Sequence, residues 1–530
     1  MCTVQRSPER LGIRGWLPLA VLCFSATWIG PGCKASGGTA ISGAGGGGLN
    51  GGTGGSAGGS NGSAAGGAGG RTVPPTVSGL FIEANPNNNL SCFVSWTSDT
   101  ATSSEVQFGA GAYRFHIVAD ESVTSHRVLV IGMTAQTDYL IKAVSKNAGG
   151  SASAEGTFTT GALPSGLPVS TLTANDTTAA QPGWTLTNIM QASQGVGFNG
   201  TAPGIIVMVD QTGVPVWYFV NGTTPDQRGD VSLRVLGNGN LILGPSSGEP
   251  AKEIDLAGNV VWSGPPVPAA TASKTDPATA PMSHFANKLP NGNYILFRDL
   301  TDANGIGGAY VEEVTPTNEV AWSWNLFDHI QPPAGAAKDW CHPNSVTVDL
   351  DHDVFYLSCR FQGIIKARRS GDKGVIWVLG GQAGGDFTFS PESANFGDQH
   401  DPEIHADGTI LFYDNMGSAA RPPAGVTTRV LELFIDENTR QARLSFEFPG
   451  SFAVDAWYTT NWYTPYWGDA DRLANGNILI TAGFRSQTEQ THIFEVRPSD
   501  GKVVWQLTLP AGVGSYQADR LSPPPLVQPL

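Results

Sequence analysis

A repeated pair of short patterns constrains the fold of this chain more than any other feature of its sequence. One pattern is an Asn-Gly or Asp-Gly turn inside an apolar run, and such turns tolerate the positive φ angles that a tight hairpin requires. The other is a short strand that ends in Trp or, once, in Phe. The turns occupy residues 236–243, 289–296, 405–411 and 473–480. The strands occupy residues 214–217, 259–262, 319–322, 374–377, 443–446 and 502–505.

Six such strand units predict an all-β fold, a six-bladed β-propeller at residues 175–522. A single antiparallel blade cannot bury both of its faces, so blades stack around a ring and each covers the next. A parallel α/β fold is disfavoured, because amphipathic helix patterns do not alternate with the strands. The tail from Tyr516 to Arg520 has the pattern of one inner strand. It is predicted to complete the first blade and close the ring.

Composition narrows the classes of function. The 530 residues include 45 acidic and 30 basic side chains, which give a formal net charge of −15. Nucleic acid is excluded as a partner, because its phosphates require a basic surface. The 68 glycines and 36 prolines favour a turn-rich protein outside the cytoplasm, and the 14 tryptophans favour a packed core over a solvated chain.

Residues 1–33 have the order of an export signal. Three arginines precede an apolar stretch at residues 16–29, which is too short for a membrane span. Cys33 follows a small residue, as at a bacterial lipoprotein cleavage site. We therefore expect an exported protein, periplasmic or at the cell surface, that is anchored through a lipid on Cys33. Plain secretion is the alternative. Residues 34–72 are rich in Gly, Ser and Ala and predict a disordered tether.

Residues 73–162 contain short alternating strands and resemble a fibronectin type III domain. In that family a buried Trp and a corner Tyr fill the core of a β-sandwich, and Trp96 and Tyr139 match those places. No side chains here suggest chemistry, so the expected role is a spacer or docking module. His116 and His126 are expected at its surface.

Three histidines mark the start of consecutive blades. His284, His342 and His400 are equally spaced along the chain, and His284 and His400 lie the same distance ahead of the turn glycines of their blades. Inner strands of a propeller begin around one axis, so residues in the same register of the repeat converge there. The sequence therefore predicts a cluster of three imidazoles.

An arginine is expected to join this cluster. The turn of the fourth blade lies near Asp351, and an antiparallel hairpin pairs residues at equal distances from its turn. Arg360 should therefore lie beside His342. The same count places Asn415 beside His400.

Cysteines flank these positions. Removal of the export signal leaves Cys33, Cys92, Cys341 and Cys359. In an oxidising compartment Cys341 and Cys359 would form a disulfide behind the site. Two unlinked core residues are the alternative.

The mixture of side chains favours an anion over a metal. Three imidazoles alone would suit zinc or iron. A guanidinium among them repels a cation in a low-dielectric funnel, and it holds sulfate or phosphate through two parallel hydrogen bonds. Asn344 adds a neutral donor. We therefore expect neither a metal nor another cofactor.

Taken in order, these motifs resemble the bacterial arylsulfotransferases of the six-bladed propeller type. The matching segments are His284, residues 339–345, residues 358–360, residues 399–401 and residues 516–520. The resemblance implies transfer of a sulfuryl group from an aryl sulfate to a phenol, without a nucleotide sulfate donor. It implies that His400 is transiently sulfated.

The same resemblance implies roles for the other residues. Arg360, His342 and Asn344 would bind the sulfate oxygens, and His284 or His342 would move the proton. Trp340, Trp462 and Trp467 are either aryl-stacking or, more simply, packing residues. The natural donor, acceptor and oligomeric state are not determined by the sequence. The rival interpretations are a metal-dependent propeller enzyme with the three histidines as ligands, and a non-catalytic extracellular binding propeller.

Overall fold

The computed structural model describes residues 73–191, 204–221, 232–245, 249–266, 273–381, 385–416, 427–486 and 488–530. The predicted export signal, the lipid site at Cys33 and the tether at residues 34–72 lie outside them. Strands dominate the described residues, with 3₁₀ turns at Leu326–Asp328 and Glu392–Ala394 and a π-helical turn at Trp457–Asn461. Within these ranges no helix has the length and apolar character needed to span a membrane.

Five strands precede the ring and form an N-terminal sheet. They are β1 (Val77–Ala84), β2 (Cys92–Gly109), β3 (Phe115–Val130), β4 (Asp138–Asn147) and β5 (Gly150–Thr159). The long strand β2 pairs with β1 through its first part, with β4 through its last part and with β3 along most of its length. Trp96 and Tyr139 are buried in its core. The assignment to fibronectin type III, like the domain boundaries, stays a prediction.

His126 is buried, so the prediction that it lies at the surface was wrong. Its ring stacks on Trp96 with centroids 4.7 Å apart. Hydroxyl groups of Ser98 and Ser104 satisfy its two ring nitrogens at 2.9 and 2.6 Å. His126 lies on the same strand face as the buried Val128 and Val130, and these hydrogen bonds let an imidazole occupy that core position.

The remaining strands form the ring, except the last of them, which joins the N-terminal sheet. In chain order they are β6 (Thr171–Asn175), β7 (Trp184–Gln191), β8 (Gly204–Val209), β9 (Pro215–Asn221), β10 (Leu233–Val235), β11 (Leu241–Leu243), β12 (Lys252–Ile254), β13 (Val260–Ser263), β14 (Met282–Lys288), β15 (Tyr294–Thr301), β16 (Gly307–Val314), β17 (Val320–Asn325), β18 (Pro343–Asp349), β19 (Val354–Cys359), β20 (Gly363–Arg368), β21 (Val375–Leu379), β22 (Thr388–Ser390), β23 (Gln399–Ile404), β24 (Thr409–Asp414), β25 (Arg429–Asp436), β26 (Gln441–Phe448), β27 (Asp469–Arg472), β28 (Ile478–Thr481), β29 (Thr491–Arg497), β30 (Lys502–Leu509), β31 (Val513–Gly514), β32 (Ala518–Leu521) and β33 (Gln528–Pro529).

These strands make six antiparallel blades, which confirms the predicted propeller. Blade 1 contains β32, β7, β8 and β9, and blades 2, 3 and 4 contain β10–β13, β14–β17 and β18–β21. Blade 5 is β23–β26 with β22 added in parallel, and blade 6 is β27–β30 with β6 on its outer edge. The Asn-Gly and Asp-Gly turns join the two innermost strands. The strand with Trp, or with Phe446, is the fourth of its blade and is outermost except in blades 5 and 6. We call the face with these turns the rear face and the opposite face, where inner strands begin, the funnel face.

The ring is closed by the C-terminal strand, as the tail pattern predicted. Strand β32 pairs with β7 from Ala518 opposite Thr187 to Leu521 opposite Trp184. Arg520 forms a buried ion pair with Glu495 of blade 6 at 3.3 Å. Blade 1 thus combines two distant parts of the chain, and the seam between blades 6 and 1 is held by buried charge.

The N-terminal sheet is docked on the rear face. The Asn85 side chain donates to the Ala257 carbonyl at 3.0 Å, in the rear turn of blade 2. The side chain of Asn88 donates to the Tyr218 carbonyl of β9 at 3.0 Å. The apolar side chains of the sheet continue into those of blades 1 and 2 as one core, and β33 pairs with β3. Val73 lies beside Asn147, at the far end of the β4–β5 hairpin.

We predict that removing residues 518–530 prevents stable folding, because blade 1 loses its inner strand and blade 6 loses its ion pair. Thermal unfolding of the purified or refolded protein measures the effect. A shorter truncation of residues 526–530 removes β33 but leaves the ring closed, and it should lower the melting temperature only slightly. Equal losses for the two truncations would contradict this role of β32.

Candidate active site

The three predicted histidines meet at the funnel face. His284 lies in β14, His342 directly precedes β18 and His400 lies in β23, so three adjacent blades bring them to the axis. The rings of His284 and His342 have centroids 6.3 Å apart. Tyr516, from the closing segment, lies 5.5 Å from His284 and 4.9 Å from His400 between ring centroids. The equal spacing in sequence thus corresponds to convergence in space.

Arg360 lies where hairpin counting placed it. Its backbone N–H donates to the carbonyl of His342 at 3.0 Å. The guanidinium is buried, and its Nη2 donates to the Pro465 carbonyl at 2.5 Å and to Asp398 at 3.4 Å. Among the described residues its Nε has no hydrogen-bond partner, so the Nε–H of this buried cation is left unpaired by them.

The tautomer of His400 is set by a backbone carbonyl. Its Nδ1 lies 2.7 Å from the carbonyl oxygen of Gly468. A carbonyl can only accept, so Nδ1 carries the proton and a neutral ring keeps its lone pair on Nε2. His400 is therefore prepared to act as a nucleophile through Nε2.

Two of the three histidines are neutral at physiological pH. Burial, followed by the influence of His342, lowers the pKa of His284 to about 3. Burial, followed by the influence of His284, Arg360 and His342, holds the pKa of His400 well below its usual value. Since desolvation penalises the charged imidazolium, neither ring binds a proton in the resting site.

His342 differs from the other two because its side chain is 39% exposed. Its Nδ1 lies 2.9 Å from the carboxylate of Asp339. Burial acts to raise the pKa of Asp339, but the hydrogen bond and charge of His342 outweigh burial and lower it. The pair resembles a carboxylate–imidazole dyad, in which the carboxylate orients the ring.

Asn344 and Asn415 occupy structural positions. The amide of Asn344 is buried and donates to the Gln399 carbonyl at 2.8 Å, which links blades 4 and 5. Its predicted role as a sulfate donor stays a prediction. Asn415 does not pair with His400, so that prediction was wrong. The pairing shifts between His400 and Glu403, and Tyr413 lies opposite His400 instead.

The structure settles the alternatives left open for the cysteines and two tryptophans. Cys341 and Cys359 form a disulfide between β19 and the residue before His342. Trp340 and Trp462 are buried packing residues, 5% and 0% exposed. Trp467 lies at the site, with its ring centroid 6.4 Å from that of Tyr516.

Sequence reasoning missed several site residues. Asp339 lies within a recognised motif but was given no role, although its position three residues before His342 was a usable signal. Tyr516 was assigned only to ring closure. Gly468 contributes a carbonyl oxygen, and no residue-type pattern reveals such a contact.

The arrangement fits an anion better than a cation. The described residues contain no group of three or more His, Cys, Asp or Glu side chains that could hold a metal ion. The cationic guanidinium of Arg360 acts electrostatically on His400. The site thus combines a neutral imidazole with its lone pair on Nε2, a fixed cation and a half-exposed histidine beside a carboxylate.

Comparisons with known proteins agree with this chemistry. A family model described as "Arylsulfotransferase (ASST)" matches residues 173–517. The arylsulfate sulfotransferase AssT of Escherichia coli O6:H1 is 26% identical over 198 residues, which cover 32% of this chain and 31% of that protein. The match thus spans less than a third of that relative's length.

Solved structures show only a general likeness. The periplasmic gluconolactonase PpgL of Pseudomonas aeruginosa aligns at 11% identity with a TM-score of 0.35, over 79% of this chain and 99% of that one. A putative 6-phosphogluconolactonase from Bacteroides uniformis aligns at 11% identity with a TM-score of 0.34, over 79% and 100%. Neither alignment supports a functional argument.

We predict that stability falls as the pH drops below ~6.5, the unfolded pKa of histidine. Below that pH, His284 and His400 are protonated in the unfolded chain but stay neutral in the fold. Folding must then release their protons, which lowers the free energy of unfolding progressively as the pH falls. Above that pH both rings are neutral in both states, and the effect is absent. Denaturant unfolding at pH 7.5 and pH 5 measures this. His284→Gln should flatten the slope by up to about 1.4 kcal/mol per pH unit. The exposed His352→Gln should not; equal slopes would refute the assignment.

We also predict that Cys341→Ala/Cys359→Ala lowers the free energy of unfolding by about 3 kcal/mol, because the bridge closes a short loop in the unfolded chain. Activity should fall as well, since the bridge holds the backbone beside His342 and Arg360. Urea unfolding with and without reductant tests this. Reductant should destabilise the wild type and leave the double variant unchanged; a wild type insensitive to effective reduction would contradict the prediction.

Proposed function

The chain belongs to the arylsulfotransferase family, and on that premise we propose that it moves a sulfuryl group from an aryl sulfate to a phenol through a sulfohistidine at His400. The observation that supports this proposal most directly is the contact of His400 Nδ1 with the Gly468 carbonyl. It leaves the lone pair on Nε2, in a site that also contains Arg360. No nucleotide sulfate donor is required, because the leaving group is a phenolate activated within the site.

In the first half-reaction, Nε2 of His400 forms a bond to sulfur as the bond between sulfur and the aryl oxygen breaks. The phenolate leaves with the electron pair and takes a proton from His342. Arg360 binds the sulfuryl oxygens through its available Nε–H. A positioned donor of this kind contributes ~10²-fold or more to the rate.

His342, not His284, is the proton carrier in this proposal. His284 has its pKa lowered to about 3 and holds no proton to give. His342 reaches solvent and is oriented by Asp339, so it can exchange protons between turnovers. His284 is left as a neutral wall of the sulfate pocket.

In the second half-reaction an acceptor phenol gives its proton to His342. Its oxygen bonds to sulfur, the bond from Nε2 to sulfur breaks, and the electron pair returns to His400. The enzyme then regains its starting protonation. Trp467 and Tyr516 offer aromatic surfaces beside the pocket for either aryl ring.

We further propose that the protein is exported and anchored through Cys33, with the N-terminal sheet as a fibronectin type III-like spacer. The export pattern at residues 1–33 supports this, together with the Cys341–Cys359 disulfide, since disulfides persist in oxidising compartments. Membrane fractionation with and without Cys33→Ala tests the anchor.

The central prediction is that incubation with 4-nitrophenyl sulfate alone adds one sulfuryl group to the protein, and that phenol removes it. Intact mass analysis measures the adduct, and nitrophenol release measures turnover. His400→Ala should form no adduct and lose at least ~10³-fold in rate.

His352→Ala is the matched control, because His352 lies on a rear turn and should leave activity unchanged. An adduct on His400→Ala that forms at the wild-type rate would overturn the assignment of the nucleophile. Turnover without any adduct would overturn the covalent mechanism.

A further inference from the structure

A group of buried polar side chains lies next to the site on the inner strands, and we call it the polar floor. Every member is at most 5% exposed, and together they come from blades 1, 2, 4 and 5. The members are Arg234, Asn344, Gln399, Asp401 and Gln517. None of the proposed chemical steps uses a side chain of this group.

One ion pair spans the axis within the floor. Nη2 of Arg234, in β10 of blade 2, lies 2.9 Å from both carboxylate oxygens of Asp401, in β23 of blade 5. Blades 2 and 5 are opposite one another in a ring of six, so this contact crosses the centre. The guanidinium also lies 5.8 Å from the ring centroid of Phe285, which adjoins His284.

The ion pair is linked to the nucleophile through the backbone. Asp401 directly follows His400 and has a φ of 47°, a left-handed conformation in which few residues are comfortable. The strand pairing shifts at this point, which turns the carboxylate toward the axis. The Asp401 N–H donates to the Asn344 side chain at 3.4 Å. Arg234 and Asn344 therefore hold the residue that sets the direction of His400.

Amides complete the floor on its other sides. The Gln399 side chain donates to Ser358 Oγ at 3.1 Å and to the Cys359 carbonyl at 2.8 Å. The Gln517 side chain accepts from the Leu233 N–H at 2.9 Å. These contacts join blade 5 to β19 of blade 4, and blade 1 to β10 of blade 2. A buried ion pair adds little to the net free energy of unfolding. The role of the Arg234–Asp401 pair therefore follows from its position on the axis.

We propose that the Arg234–Asp401 pair closes the axis beneath His400 and keeps water from the sulfohistidine, so that a phenol and not water receives the sulfuryl group. This inference rests on the proposed function. The competing step is hydrolysis: a water oxygen bonds to sulfur, the bond from Nε2 to sulfur breaks, its electron pair returns to His400, and sulfate and two protons leave. Excluding water from a reactive intermediate is a recognised task of an enclosed site.

The experiment compares the fate of the intermediate in wild type and Arg234→Met. The protein is loaded with 4-nitrophenyl sulfate and freed of donor, and decay of the adduct is followed by intact mass. Sulfate and sulfated phenol are then quantified at limiting phenol. We expect the adduct of Arg234→Met to decay at least tenfold faster without acceptor and the sulfate share to rise correspondingly.

Arg369→Met is the matched control. Arg369 forms an equally buried ion pair with Glu313, but near the rear turns of blades 3 and 4. It should be destabilised similarly while its adduct lifetime and product ratio stay at wild-type values. A decay of Arg234→Met no faster than that of Arg369→Met would overturn the inference.

A second variant keeps the test informative if Arg234→Met does not fold. Arg234→Gln/Asp401→Asn replaces the ion pair with neutral amides and leaves no buried charge unpaired. A shortened adduct lifetime in this variant supports the floor, and an unchanged lifetime overturns it. Absence of any adduct in the wild type would instead overturn the proposed function, so the two failures are distinguishable.

Discussion

Closure of the ring is the constraint on which the rest of the structure depends. No single blade holds all three histidines of the site. His284, His342 and His400 come from three sheets, and they meet only because all six blades share one axis. Tyr516 arrives with the strand that seals the ring. The pairing of β32 with β7 buries the inner edge of blade 1, and it therefore also positions Tyr516 as one side of the pocket.

Differences in solvent access separate the environments of chemically identical side chains. Desolvation keeps the buried His400 and the half-buried His284 neutral, and the Gly468 carbonyl selects the tautomer of His400. His342 is more exposed and contacts the Asp339 carboxylate. Three copies of one residue type thus lie in three different environments. Arg360 supplies the permanent charge that none of the three rings provides.

Much of the fold and part of the candidate site could be predicted, because both follow from periodicity. Turn glycines revealed the blades, and equal register brought the histidines together. Counting from a hairpin turn located Arg360, because Cys359 pairs with Pro343 even though the pairing of β18 and β19 has an irregularity between Pro343 and Ser345. The same count failed for Asn415, because the pairing of β23 and β24 is centred one residue earlier than assumed and an irregularity near Asp401 shifts it by one residue more. Side-chain types do not encode either shift. Contacts such as that of Gly468 involve backbone atoms and are invisible in a pattern of residue types.

The docking of the N-terminal sheet has a mechanical consequence. Val73 lies at one end of the β4–β5 hairpin, and the turn that contacts the ring lies near the other end. Ten residues of extended strand span about 33 Å, so the sheet acts as a stiff pedestal of that height beneath the rear face. Because pedestal and ring share one core, the funnel face opens away from the end of the sheet at which Val73 lies.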